Sequence, residues 1–220
     1  MSGYTDIIFD LDGTLVDSAE GIKNSLQYAF DQVGINAKNM DFNKFIGPPL
    51  AEGLKQNLPN EFSDEILLAS TIKHMRSYYA SHGVHQCLLY PGIDNLLSHL
   101  KQNNKRLFVA TSKPLVFAKE MLSNLSVHAF FEGIDGNPVD AAPNTKGEII
   151  SRLINVMQIK QENRKLVMIG DRYHDIEGAH ENGIDSIGVT YGYGSSEELS
   201  SYQPTRVINS INELHDALYT

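Results

Sequence analysis

The chain has 220 residues, with 27 acidic and 18 basic side chains and a formal charge of -9. That length can bury a sizeable core, as one large domain or a domain plus a smaller unit, and the charge argues against nucleic-acid or anionic-membrane partners, with no lysine or arginine block to reverse it locally. Cys87 is the only cysteine, which excludes an internal disulfide, and no signal-peptide pattern or apolar run of roughly 20 residues appears, so the expected setting is cytoplasmic.

The first predicted element is a strand over the apolar run "DIIF", residues 6–9. From about Ser18 to His85 the pattern turns helical, with no convincing strand. Leu26, Ala29, Phe30 and Val33 form one apolar stripe. Ile66, Leu67, Ser70, Ile72, Met75 and Tyr79 suggest a long second helix, and "FIGPPLAEG" (45–53) lies between as a loop, with Pro48-Pro49 starting another helix. "LYPGI" marks the return to strand-and-helix alternation. A helix over 92–103, a strand at "RLFVA" (106–110), a helix over 146–157 and strands at "KLVMI" (165–169) and "SIGV" (186–189) follow. "TRVI" (205–208) adds an edge strand before a last helix. The strands are nearly continuous in hydrophobicity, as strands buried on both faces are. The expectation is an α/β fold: a doubly wound, Rossmann-like parallel sheet formed by residues 1–15 and 88–220, with a small all-helical domain, residues 16–87, inserted after the first strand.

In such sheets ligands bind at the carboxyl ends of the strands. The first strand delivers Asp10 and Asp12 there, the second Thr111 and Ser112, the third Gly170 and Asp171, with Asp175 four residues on. Three cations sit at helix entries on the same edge: Lys113 before Pro114, which suits a first helical position, Lys146 behind a Thr145/Glu148 capping box, and Arg172. Cations there oppose the helix dipole, so their recurrence points to a bound anion. Phosphate suits these donors, and carboxylates facing phosphate suit Mg²⁺.

"DLDGTLVDS", a strand ending in Thr111, Lys146 before a helix, and "GDRYHD" (170–175) together resemble the four motifs of the haloacid dehalogenase superfamily of phosphatases, in order and over nearly the whole chain. The helical insert resembles that superfamily's helical cap. "FIGPPL", "TSKP", "APNTK", "GDRYHDIEGA" and "YGYGS" look most like its phosphoglycolate-phosphatase-like branch.

The resemblance implies a phosphomonoester hydrolase acting on a small phosphorylated metabolite. Asp10 would be the nucleophile and Asp12 the acid and base. Thr111 would bond the phosphoryl oxygens and Lys146 would stabilise their charge. Mg²⁺ would be held by Asp10, the Asp12 backbone carbonyl and Asp171, with Asp175 acting through water or by orienting Lys146. The amides around Leu11, Gly13 and Ser112 would line the phosphate pocket. Aspartate rather than threonine at position 12 favours phosphatase or mutase over ATPase chemistry. The protein would act as a monomer or weak dimer.

Plainer readings compete. Asp10 and Asp12 alone could end a strand and open an Asp-Gly turn, and Asp175 could be an early-helix acid. Lys113 and Arg172 could contact substrate or form surface salt bridges. His82 and His85 lack the partners of a metal set, His174 lies inside the fourth motif, and His180 follows it. "YGYG" (191–194) reads as a turn at the rim of the site. Among substrates, phosphoglycolate leads, with nucleoside monophosphates and sugar phosphates behind it. A β-phosphoglucomutase-type mutase is disfavoured because Pro49-Leu50 stands where that type carries Ser-Arg. A signalling receiver domain is disfavoured because Asp10 ends the first strand.

Overall fold

Strand, insert and sheet follow one another in the computed structural model, which describes residues 3–38, 40–46, 50–58, 60–139, 142–159 and 165–220. The elements are β1 (Asp6–Phe9), β2 (Val16–Asp17), α1 (Ala19–Val33), α2 (Leu50–Asn57), α3 (Glu65–Ser81), β3 (Leu88–Leu89), α4 (Ile93–Gln102), β4 (Arg106–Pro114), α5 (Leu115–Asn124) and β5 (Gly133–Asn137). They continue with α6 (Lys146–Val156), β6 (Leu166–Gly170), α7 (Tyr173–Glu181), β7 (Asp185–Val189), α8 (Ser196–Ser201), β8 (Arg206–Ile208) and α9 (Ile211–Ala217). They fall into two compact units, one of Met1–Asp17 with Leu89–Thr220 and one of Ser18–Leu88.

The first unit is built on a parallel six-stranded sheet of order β5-β4-β1-β6-β7-β8. Ile7, Ile8 and Phe9 are all fully buried, because β1 lies mid-sheet and both its faces are covered. Alternation along the strands sends Ile8, Phe108 and Met168 to one face, where they pack on Ile149, Ile150 and Leu153 of α6 and Ala179 of α7. Each such side chain contributes about 1.5–3 kcal/mol of burial. The sheet register sets the site. Phe9 pairs with Val109 on one side and Ile169 on the other, so Asp10, Ala110 and Gly170 lie level at the carboxyl end of the sheet.

Strand β5 answers to none of the expected strands. Its sequence, GIDGN, holds two glycines, an aspartate and an asparagine, all poor strand formers, and it survives as a short edge strand through its pairing with β4. Strand β4 also runs longer than expected, through Pro114, with a register shift between Ala110 and Pro114. Pro114 therefore caps α5 in extended backbone (φ -54°, ψ 129°) rather than serving as its first helical residue. A shift of this kind locally re-aims side chains, here those of Thr111, Ser112 and Lys113.

The regular structure of the second unit is helical among its described residues, apart from Leu88, which opens β3. Its centre is an aromatic cluster in which Phe30 meets Phe42, Phe45 and Phe62 at centroid separations of 6.1–6.4 Å. Phe45 and Ile46, expected in a loop, are buried core residues. The long second helix expected there is α3, and it buries Met75 and Tyr79 together with Leu68 and Thr71, while Ile66 is 82% exposed. Four consecutive apolar residues, Ile66–Ala69, leave the phase of that helix open in sequence, and packing against α1 decides it. Pro48 and Pro49 lie outside the described residues; the helix expected to begin there is described from Leu50. No helix among the described residues is long and apolar enough to cross a membrane.

Candidate active site

All the residues singled out at the strand ends belong to the first unit. Asp10 follows β1, and its amide donates to Ile169 of β6 at 2.8 Å, which fixes the backbone beside Gly170 and Asp171. Lys146 is the first residue of α6, held there by a capping box. The Thr145 hydroxyl accepts from the Glu148 amide at 3.2 Å, and the Glu148 carboxylate accepts from the Thr145 amide at 2.8 Å. From that position its Nζ reaches Asp10 Oδ1 at 2.7 Å, Asp175 Oδ1 at 2.8 Å and the Ala110 carbonyl at 3.1 Å. The Lys146 side chain is only 4% exposed. One ammonium thus joins residues delivered by β1, β4 and α7.

Asp10, Asp171 and Asp175 are all buried and can each present an oxygen within 4.8 Å of the others. With all three ionised, Lys146 leaves an excess of two negative charges. Burial pushes the Asp10 carboxyl up to about 7 against the pull of Lys146, with Asp175 and Asp12 adding repulsion. Burial also drives Asp171 well above the usual carboxylate range, reinforced by Asp10 and Asp175. Lys146 is held above its ordinary range: burial opposes its charge, but Asp10 and Asp175 outweigh burial. Three buried oxygen ligands with surplus negative charge fit a hard divalent cation such as Mg²⁺.

Asp171 is gripped from two sides. Oδ2 accepts from the Tyr193 amide at 2.7 Å, and Thr14 Oγ1 lies 3.5 Å from Oδ1. The glycines of "YGYG" make this possible: a Cβ on Gly192 would collide with the Gly13 carbonyl and with the Asp171 side chain. That loop, read as a rim turn, presses directly on the carboxylate. The Gly13 amide donates to the Val16 carbonyl at 2.8 Å and so closes the turn after Asp12. The φ of +84° at Gly13, and the collision that any Cβ at this position would make with Asp171 Oδ2, explain the glycine.

Thr111 is buried, and its hydroxyl accepts from the Lys113 amide at 3.2 Å. The Ser112 carbonyl accepts from Asn137 Nδ2 at 2.9 Å. Asn137, which the sequence did not single out, also accepts from the Asn144 amide at 2.6 Å, tying the β4 terminus to the segment before Lys146. Leu11 is buried, and its carbonyl accepts from the amides of Leu15 and Val16 at 3.0 Å each.

The three cations expected to mark an anion each face a carboxylate of this chain. Lys113 Nζ meets both oxygens of Asp12 at 2.9 and 2.8 Å, Lys146 meets Asp10 and Asp175, and Arg172 Nε meets Glu198 at 2.8 Å. Asp175 Oδ2 also accepts from the Arg172 amide at 3.1 Å, so it combines the early-helix role with the grip on Lys146. No histidine joins the carboxylate cluster among the described residues. His174 packs on Tyr173 at 3.7 Å, and His82 stacks on Tyr78 at 4.8 Å. Cys87 Sγ contacts the Val84 carbonyl at 3.4 Å.

A buried carboxylate trio, two of its members in contact with one lysine, at the carboxyl edge of a doubly wound sheet, is suited to holding a divalent cation beside a phosphoryl group. The chain belongs to the haloacid dehalogenase-like hydrolases, whose family profile matches residues 7–189. It is 37% identical over 216 residues, 98% of this chain and 96% of the other, to a 5'-nucleotidase of Pseudomonas aeruginosa. A tyrosine-protein kinase, PtkA, of Mycobacterium tuberculosis is 34% identical over 96% of this chain and 72% of its own. The crystal structure of a predicted phosphatase from Clostridium acetobutylicum superposes with a TM-score of 0.89 at 39% identity, covering 98% of each chain. The fold and the membership expected from the four motifs both hold.

Proposed function

We propose that the protein is a Mg²⁺-dependent phosphomonoesterase that works through an aspartyl-phosphate on Asp10. The observation that carries this reading is the contact of Lys146 with both Asp10 and Asp175, beside a third buried carboxylate, Asp171. Asp10, the Asp12 carbonyl and Asp171 would hold the ion, with Asp175 anchoring Lys146. When bound, the ion would offset the repulsion between a carboxylate nucleophile and a phosphate dianion.

The chain's own groups supply the rest. Lys146 takes Asp10 Oδ1, which orients Oδ2 for in-line attack on phosphorus. The P–O bond to Asp10 forms as the bond to the alcohol breaks, and Asp12 gives the leaving oxygen its proton. Water then attacks the phosphorus, Asp12 takes a proton from it, and the P–O bond to Asp10 breaks to release inorganic phosphate. Thr111, Ser112 and the backbone near Leu11 would receive the phosphoryl oxygens.

The helical unit, Ser18–Leu88, would act as a cap that chooses the alcohol. Two substrate classes follow from different observations. The motif set favours a phosphoglycolate-like acid, whereas full-length likeness to a 5'-nucleotidase favours a nucleoside monophosphate. The expected setting is cytoplasmic. Purified protein should hydrolyse p-nitrophenyl phosphate with Mg²⁺, and EDTA or Asp10→Asn should abolish turnover. Near-wild-type activity in Asp10→Asn would sink the mechanism. A kcat/KM ranking of phosphoglycolate against nucleoside monophosphates decides the substrate class.

A further inference from the structure

Lys113 is not one of the residues that the four motifs assign. It sits in the shifted segment of β4, three residues beyond Ala110, and its side chain is 7% exposed. Its Nζ lies 2.9 Å from Asp12 Oδ1 and 2.8 Å from Oδ2, so one ammonium spans both oxygens of a carboxylate that is itself 15% exposed. The backbone fixes where this lysine starts. Its amide donates to Thr111 Oγ1 at 3.2 Å, and the preceding carbonyl is tied to Asn137. Asp12 stands in a turn, and an aspartate side chain has more than one staggered χ1 rotamer open to it. A two-point contact from a lysine anchored on a different strand selects among them.

We propose that Lys113 is a positioning residue, whose two-point contact with Asp12 places that carboxylate for proton transfer to and from the reacting oxygens. This rests on the reading of Asp12 as acid and base. Proton transfer needs heavy atoms at about 2.6–3.2 Å, and misplacement by about 1 Å costs on the order of a hundredfold in rate. Lysine suits the task, because its ammonium donates three protons and can serve both oxygens at once.

The test uses leaving groups of different need. An alkyl phosphate such as glycerol 2-phosphate requires a proton on its departing alkoxide; p-nitrophenyl phosphate departs as a stable phenolate and does not. Lys113→Met should lower kcat/KM for glycerol 2-phosphate about 10- to 100-fold, below or at the lower end of the 10²–10⁴ that a whole general acid supplies. It should leave kcat/KM for p-nitrophenyl phosphate within about threefold, since kcat/KM reports the steps up to phosphorylation of Asp10, where that substrate does not draw on the acid. Lys113→Arg, which can still grip both oxygens, should recover part of the alkyl activity. In the Lys113→Met/Asp12→Asn double variant, the loss on glycerol 2-phosphate should be no greater than in Asp12→Asn alone. Equal losses on both substrates would overturn the proposal in favour of a structural or phosphate-binding lysine. A rise in KM at unchanged kcat, confined to substrates with an anionic tail, would overturn it in favour of a substrate contact. Asp12→Asn on the same two substrates tests the underlying reading separately. If Asp12→Asn is not selective for the alkyl phosphate, the acid-base assignment fails; if it is selective and Lys113→Met is not, only the role of Lys113 fails. Should Lys113→Met be recovered poorly, Lys113→Gln, which keeps length and a donor, carries the same comparison.

Discussion

Replacing Lys146 with methionine removes the one ammonium in contact with both Asp10 and Asp175 and keeps most of the side-chain volume. Its contacts at 2.7 and 2.8 Å each correspond to about 6 kcal/mol of attraction at an effective dielectric of about 20, most of it offset by desolvation of the ammonium. The loss that remains is that of a buried charge pair broken on one side, about 3–5 kcal/mol. For a chain of this length that is a fall in Tm of roughly 6–20 °C in EDTA at pH 7.5. The sign of the pH dependence follows from Asp10, whose carboxyl is raised to about 7 from an ordinary value of 3.8. The folded state binds that proton more tightly than the unfolded chain. Its contribution is therefore fully present below the unfolded value and is lost as pH rises through about 7. Without Lys146 the Asp10 carboxyl is pushed higher still, so the variant's deficit should shrink at pH 5, where Asp10 is protonated. Thermal melts of both proteins in EDTA at pH 5 and 7.5 measure this. A variant as stable as wild type at pH 7.5, or a deficit equally large at pH 5, would refute the electrostatic account. Activity with Mg²⁺ should fall about 10²- to 10³-fold, as when a preorganised donor is removed.

Other substitutions probe the same cluster from different sides. Asp171→Asn keeps an acceptor for the Tyr193 amide but removes a buried charge, so in EDTA its Tm should match or exceed wild type, while the Tm rise on adding Mg²⁺ disappears. Gly13→Ala drives a methyl into Asp171 Oδ2 at φ +84°; it should cost at least about 1–2 kcal/mol from backbone alone and raise the Mg²⁺ concentration needed for half-maximal activity. Asn137→Ala leaves the Ser112 carbonyl and the Asn144 amide without that partner. The expected loss is about 1–3 kcal/mol in denaturant unfolding, with kcat reduced more than KM, because Lys146 and the β4 terminus lose their common tie.

The sheet could be read from the sequence because strands covered on both faces are rich in consecutive apolar residues, as Ile7–Phe9 of β1 and Leu166–Ile169 of β6 are. The carboxylates could be read because each stands close past such a run, where chain direction alone places it at the binding edge. Strand β5 could not be read that way, since Gly133, Asp135, Gly136 and Asn137 carry no strand signal and hold their form through pairing with β4. The inward face of α3 was likewise open until α1 selected it.

Within the site, the residue types and their order along the chain were fixed by sequence, and the pairings were not. Three cations on one edge pointed to an external anion, yet each meets a carboxylate of the chain itself. Only the folded structure brings Lys146 to Asp10 from 136 residues away and Lys113 to Asp12 from 101. The "YGYG" turn likewise proved to be a clamp on Asp171. Local sequence governs which residues end a strand or open a helix, because those choices depend on near neighbours. Which charge neutralises which depends on strand order and register, and those are settled only when the sheet closes around its core.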